Sequence, residues 1–213
     1  MLQNLDWVDR YREPTGCATW DDESIARLTK RFGSELANDL LDLGTLYTEF
    51  EERGGYPWLV CNGAVDEAEL LRGEKGDRLR RMIEFLADHQ SDWCSDAYPG
   101  IAQGLLLTRN RHRASPLILR ALGVTSAEEV VSATGPLAFL PDRGDRLIAT
   151  HALLANIPVV LTSDHRTFWN RRDRLAPLGL TVMRPGELLK LYESYWDALD
   201  GEFARRQGNE HVP

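Results

Sequence analysis

The chain is poor in cysteine, and none of its cysteines stand close together. Cys17, Cys61 and Cys94 are odd in number and far apart, with no CxxC spacing. That argues against a disulfide framework and against a cysteine-built zinc site. A long hydrophobic run is also missing. The most apolar stretch, Leu147 to Leu161, is broken by Thr150, His151, Asn156 and Pro158 and is too short to span a bilayer. The opening "MLQNLDWVDR" is polar and acidic, unlike a signal peptide. There is no surplus of positive charge. A net charge of -8 argues against coating nucleic acid through bulk charge, yet says nothing against a local acidic site that holds cations. A Walker A loop, GxGxxG, HExxH and GxSxG are all absent, which removes the commonest nucleotide-binding and hydrolase readings. The expectation is a reduced, soluble, cytoplasmic protein.

What is present is an ordinary globular composition. The 213 residues suffice for one sizeable domain with a buried core. Residues 1–20 read as irregular, with Pro14 and Gly16 as breakers. Ile25, Leu28 and Phe32 share a helical face; Gly33 ends that helix and Ser34 is a candidate N-cap for the next. In the next, Leu36, Leu40, Leu43, Tyr47 and Phe50 recur at helical spacing. A short buried strand is expected over Trp58 to Cys61, then a helix opening with "AVDEAELL" and another between Asp77 and Asp88. Helical pieces at "PLILRALG" and "SAEEVV" follow, the second with Ser126 and Glu129 as a capping box. "TGPLAFLPDRGD" reads as a long loop, "LTVMRP" as a strand and the chain from "GELLKLYE" as a terminal helix. Helices alternating with short buried strands indicate an α/β layer fold with a parallel sheet.

The stretch from Gly144 to Trp169 carries an acid at each end, Asp145 and Asp164. A helix of about eleven residues from Asp145 to Asn156 covers about 16 Å. The strand Val159 to Ser163 returns about the same distance at roughly 3.3 Å per residue. Asp145 and Asp164 therefore meet at the carboxyl edge of the strand, where open α/β sheets bind ligands. Two carboxylates held close repel unless a cation or proton sits between them, and oxygen-rich clusters suit Mg²⁺ or Mn²⁺. The plainer reading has Asp145 favouring its helix N-terminus by charge and Asp164 capping a turn. Asp66, Glu67 and Glu69 lie at a second strand-to-helix junction. On a helix Asp66 and Glu69 share a face and Glu67 points about a quarter turn away.

These residues resemble the C-terminal half of a PIN domain, the metal-dependent ribonuclease fold. The pattern of that family is matched by Asp145, Ile148, Ala152, Leu153, Thr162, Asp164, Gly179 and Pro185, over about forty-five residues. "WLVCNGAVDEAEL" is similar to the family's earlier strand and helix, with Glu67 in the place of the family's Glu and Asp66 and Glu69 as alternatives. The family opens on a hydrophobic strand ending in Asp. "LLDLGTLY" has helical apolar spacing, so Asp42 is rejected for that place, and "CATWDDESIARL" offers Asp21 or Asp22.

The resemblance implies a three-layer α/β fold with a short parallel sheet flanked by helices over residues 21–192. Residues 90–143 form an enlarged helical and loop region, and 193–213 a C-terminal helix and tail. It implies hydrolysis of RNA phosphodiester bonds with Mg²⁺ or Mn²⁺ on Asp145, Asp164, Glu67 and Asp21 or Asp22. The metal would lower the pKa of a bound water. Thr162 or Ser163 would orient a carboxylate or water. Basic stretches Arg72–Arg81, Thr108–Arg113 and His165–Arg174 are candidates for RNA contact, with Arg166, Arg171 and Arg172 nearest Asp164. Phe168 and Trp169 are read as core, and His151 and His165 as structural, since hard Mg²⁺ prefers oxygen. RNA is the expected partner, with room for a protein partner such as an antitoxin and for a homodimer. The alternative is a catalytically silent module of the same fold that binds RNA or protein.

Overall fold

A computed structural model describes residues 4, 7, 8, 10, 20–53, 70–84, 116–154 and 157–209. Trp58–Cys61, Asp66, Glu67, Glu69, Asn156 and Thr108–Arg113, singled out in the sequence, lie outside these residues. In chain order the elements are α1 (Asp22–Phe32), α2 (Ser34–Arg53), α3 (residues 74–84), α4 (Pro116–Ala121), α5 (Ala127–Val131) and α6 (Arg143–Leu154). They continue with β1 (Val159–Leu161), α7 (Arg172–Leu175) between two 3₁₀ turns, β2 (Thr181–Met183) and α8 (Pro185–Asn209). The described part is helix-rich with one two-stranded sheet.

Local chemistry sets the boundaries. Asp21 caps α1, accepting from the Ser24 N–H at 2.6 Å. Gly33 ends α1 with φ +80°, a conformation that costs a residue with a Cβ. Ser34 was expected to cap α2 but is its first residue, because the Gly33 carbonyl already accepts from the Ala37 N–H. Ser126 does cap α5, accepting from Glu129 N–H. The Glu129 carboxylate, expected to close the box on Ser126, instead accepts from Thr125 N–H and Oγ1, one residue earlier. Asn4, Trp7, Val8 and Arg10, expected in an irregular segment, are helical. Trp7 meets Phe32 edge-on at 5.3 Å, under the guanidinium of Arg31.

β1 and β2 run parallel, with Val160 opposite Val182. Both faces of this short sheet are covered. Val160 and Val182 join a core of Leu119, Leu137, Leu140, Ala152, Phe168 and Leu175. Leu161, pointing the other way, packs against the core of Val8, Leu28, Ala37, Leu40 and Leu43. Helices thus lie on each side of a parallel pair, the layering an α/β fold requires. The strands are only three residues long, so β1 stops at Leu161, two short of the expected Ser163. α6 begins at Arg143, two residues before the expected Asp145.

Residues 134–145, read as a long loop, are a chain of turns up to Asp142 and the start of α6 from Arg143, and the Arg146 side chain ties the turns to that helix. Arg146 donates from Nε to the Val131 carbonyl at 2.8 Å and from Nη1 to those of Leu140 and Pro141 at 2.7 and 3.0 Å. Asp142 caps the start of α6, accepting from the Gly144 N–H at 2.6 Å. α8 is continuous from Pro185 to Asn209. No helix among the described residues is long and apolar enough to cross a membrane.

Candidate functional site

The site is built at the carboxyl edge of β1 and β2. After α6 the chain reverses tightly, the Ile157 N–H reaching the Ala152 carbonyl at 2.8 Å, and β1 packs back along α6. Asp145, half-buried, lies in the first turn of α6, and Asp164 follows the end of β1 by three residues. Thr162, buried there, donates its N–H to Met183 and accepts from the Asp164 N–H with its hydroxyl at 3.0 Å. The hydroxyl expected to orient a carboxylate or water is thus used to fix the backbone of Asp164. The Ser163 hydroxyl is buried without a hydrogen-bond partner among the described residues.

Asp164 is exposed and organises the turn that follows. Its Oδ1 accepts from the Arg166 N–H at 2.7 Å and its Oδ2 from the Thr167 hydroxyl. Partial burial pushes this carboxyl up. The Thr167 hydroxyl, the Arg166 and Thr167 N–H groups and the Arg166 charge outweigh that and hold it below the ordinary carboxylate value. These three donors take three of the roughly four lone-pair sites of the carboxylate, so the turn does not exhaust it.

A denser group of charges stands on the α2 side of the same edge. Asp39, three per cent exposed, is gripped by Arg184 at the end of β2. Arg184 Nε lies 3.1 Å from Asp39 Oδ1 and Nη2 lies 3.0 Å from the same oxygen, while Nη1 reaches Glu35 Oε1 at 3.0 Å. His165 brings Nε2 to 3.6 Å from Glu35 Oε1 and 3.8 Å from Asp39 Oδ2, short of a hydrogen bond. Arg184 also starts α8. Its N–H donates to Glu187 Oε2 at 3.0 Å and its carbonyl accepts from the Glu187 N–H at 3.1 Å. Burial raises the Asp39 carboxyl, against the opposing hydrogen bond and charge of Arg184. Burial also raises Asp42, aided by the Asp39 and Glu193 charges and opposed by Lys190 and Arg184. For Arg184 itself, burial lowers the pKa, but its contacts with Asp39 and Glu35 raise it overall.

The helical reading of "LLDLGTLY" holds, and Asp42 is indeed not a strand-end acid. It nonetheless reaches this edge. A methyl group at Gly186, in the first turn of α8, would stand 2.5 Å from Asp42 Oδ2, so only glycine fits without a shift. Asp21 and Asp22 begin α1. The Asp21 carboxylate is held low by Ser24, whose N–H it accepts.

Among the described residues, no group of three or more His, Cys, Asp and Glu side chains is placed to hold a metal ion. Asp145 and Asp164 offer hard oxygen donors of the type Mg²⁺ and Mn²⁺ take. Glu67 belongs to the segment outside the described residues. Phe168 is core, as expected, and Trp169 is half-buried. Comparison of the chain with protein-family models, with curated proteins and with solved structures finds no match.

Proposed function

We infer that the chain is a PIN-like endoribonuclease, hydrolysing RNA phosphodiester bonds with Mg²⁺ or Mn²⁺. Asp145 and Asp164 would hold the ion with Glu67, and Asp21 or Asp22 is the fourth candidate. When bound, the metal would activate a water for attack on phosphorus. The observation that carries this reading is the order of elements: α6, with Asp145 in its first turn, leads into β1, which ends three residues before Asp164 in a parallel pair covered on both faces. Thr162 supports it by fixing the Asp164 backbone.

The test is cleavage of single-stranded RNA in Mn²⁺ or Mg²⁺, compared with EDTA. Cleavage should need the ion and disappear in Asp145→Asn and in Asp164→Asn. Ion-dependent cleavage undiminished in both variants would reject the assignment. A second reading, a silent module that binds RNA or protein, is favoured by one specific observation. Arg184 already supplies the positive charge between Glu35 and Asp39. RNA binding without cleavage in either ion would select it.

A further inference from the structure

The crossover from β1 to β2 carries a basic surface. Between Asp164 and Leu175 the chain exposes Arg166, Arg171, Arg172 and Arg174 against one exposed acid, Asp173. This is a local excess of cations on a chain whose net charge is -8. It arises because Phe168, Trp169 and Leu175 pack on the core and residues 170–174 between them are exposed.

Two of the arginines are pre-organised. The Arg172 guanidinium lies 4.3 Å from the centre of the Trp169 ring, and its Nη1 donates to the Trp169 carbonyl at 3.1 Å. Arg174 lies 4.2 Å from the centre of the Phe139 ring. A guanidinium held on an aromatic face gives up less freedom on meeting a phosphate, and its outer side can stack an unpaired base. Arg171, just before Arg172, has no ion-pair partner among the described residues. The segment starts at Asp164, so a strand lying across the carboxyl edge would continue directly onto it.

We propose that this crossover is a track for single-stranded RNA, with Arg166, Arg171 and Arg172 on successive phosphates and the stacked guanidinium of Arg172 turned toward a base. The track deepens the ribonuclease reading and rests on it for the direction of the strand, but binding and cleavage separate experimentally. Duplex RNA presents paired bases that cannot stack on Arg172, so the single strand is preferred.

The experiment measures fluorescence anisotropy of a short labelled single-stranded RNA with the full chain in EDTA. The double variant Arg171→Glu/Arg172→Glu should bind at least about tenfold more weakly than the parent protein. Its dependence of log affinity on log salt should be shallower by about 1.4, for two lost contacts at about 0.7 each on a single strand. Lys30→Glu, an exposed charge reversal on α1, serves as the control for charge reversal away from the crossover and should bind like the parent. Single variants Arg166→Ala and Arg171→Ala should each lose part of the affinity, which covers the case of a misfolded double variant. Absence of binding by the parent protein at low salt, equal losses in the control, or undiminished affinity in all crossover variants would overturn the track. Metal-dependent cleavage with undiminished binding in those variants would reject the track and keep the nuclease. Binding through the arginines without cleavage would do the reverse.

Discussion

Arg184 holds Asp39 through two nitrogens, Nε at 3.1 Å and Nη2 at 3.0 Å from Oδ1, across 145 positions of the chain. The pair fastens the second turn of α2 to the end of β2 and the start of α8. The third nitrogen binds Glu35 one turn earlier on α2, so one guanidinium spans two turns of that helix.

The pair is nearly closed to water on the acid side, since the Asp39 side chain is 4 % exposed. Removing the arginine strands a buried carboxylate. Arg184→Met should therefore destabilise the protein by about 3 kcal/mol in urea unfolding, the lower end for breaking a buried pair. Adding Asp39→Leu should recover much of that loss, because two apolar groups then face each other. A loss below about 1 kcal/mol for Arg184→Met would mean the pair is screened like a surface contact.

Asp42 makes a pH prediction of definite sign. Its carboxyl is raised from 3.8, first by burial and then by Asp39. The folded state therefore holds its proton more tightly than the unfolded state, and ionising Asp42 costs stability as pH rises from its unfolded value through its folded value. Asp42→Asn removes that cost. Its stability gain over the parent protein should be largest at neutral pH and vanish below pH 3.8. Urea unfolding of both proteins across that range reads the difference, and a gain that grows as pH falls would contradict it.

Gly186 and Asp42 should show coupling that changes sign. With Asp42 present, Gly186→Ala puts a methyl 2.5 Å from a carboxylate oxygen and should destabilise by about 1–3 kcal/mol. In an Asp42→Ala background the clash is gone. The same change should then stabilise by about 0.5–1 kcal/mol, through the helix preference of alanine over glycine. Four unfolding curves complete the cycle; additive effects would show that Gly186 has room to spare.

The sheet edge was legible because its punctuation is local. Pro158, Gly179 and Pro185 bound the strands, and apolar spacing set the faces of α1 and α2. The short reach of β1 was not legible, since Thr162 and Ser163 continue the β-like composition while the Thr162 hydroxyl turns the chain. Nor was the Arg184–Asp39 pair, because one sequence does not say which remote cation a given acid meets. A signal did exist. Asp39 falls three after Leu36 and four before Leu43, on the apolar stripe of α2, where an acid demands a partner. Asp145 and Asp164 were singled out by matched helix and strand lengths, and the turn geometry shows a structural task for Asp164 that those lengths did not announce.

The turn-holding role of Asp164 is separable by experiment from the catalytic role proposed for it. Its carboxylate accepts from Arg166 N–H and from the Thr167 hydroxyl, so Asp164→Ala leaves the turn uncapped and should cost about 1 kcal/mol. Asp164→Asn keeps one acceptor oxygen and should cost less. Because these bonds hold the carboxyl below its ordinary value, its contribution is full above the unfolded pKa and is lost as pH falls through the folded one. The stability gap between the parent protein and Asp164→Ala should therefore shrink in acid. Metal-dependent cleavage, in contrast, should vanish in both variants, since an amide is neutral and a poor ligand for Mg²⁺. Thermal melting at several pH values and an RNA cleavage assay on the same three proteins read the two tasks side by side. Cleavage that fell only in proportion to stability would assign Asp164 to the turn alone.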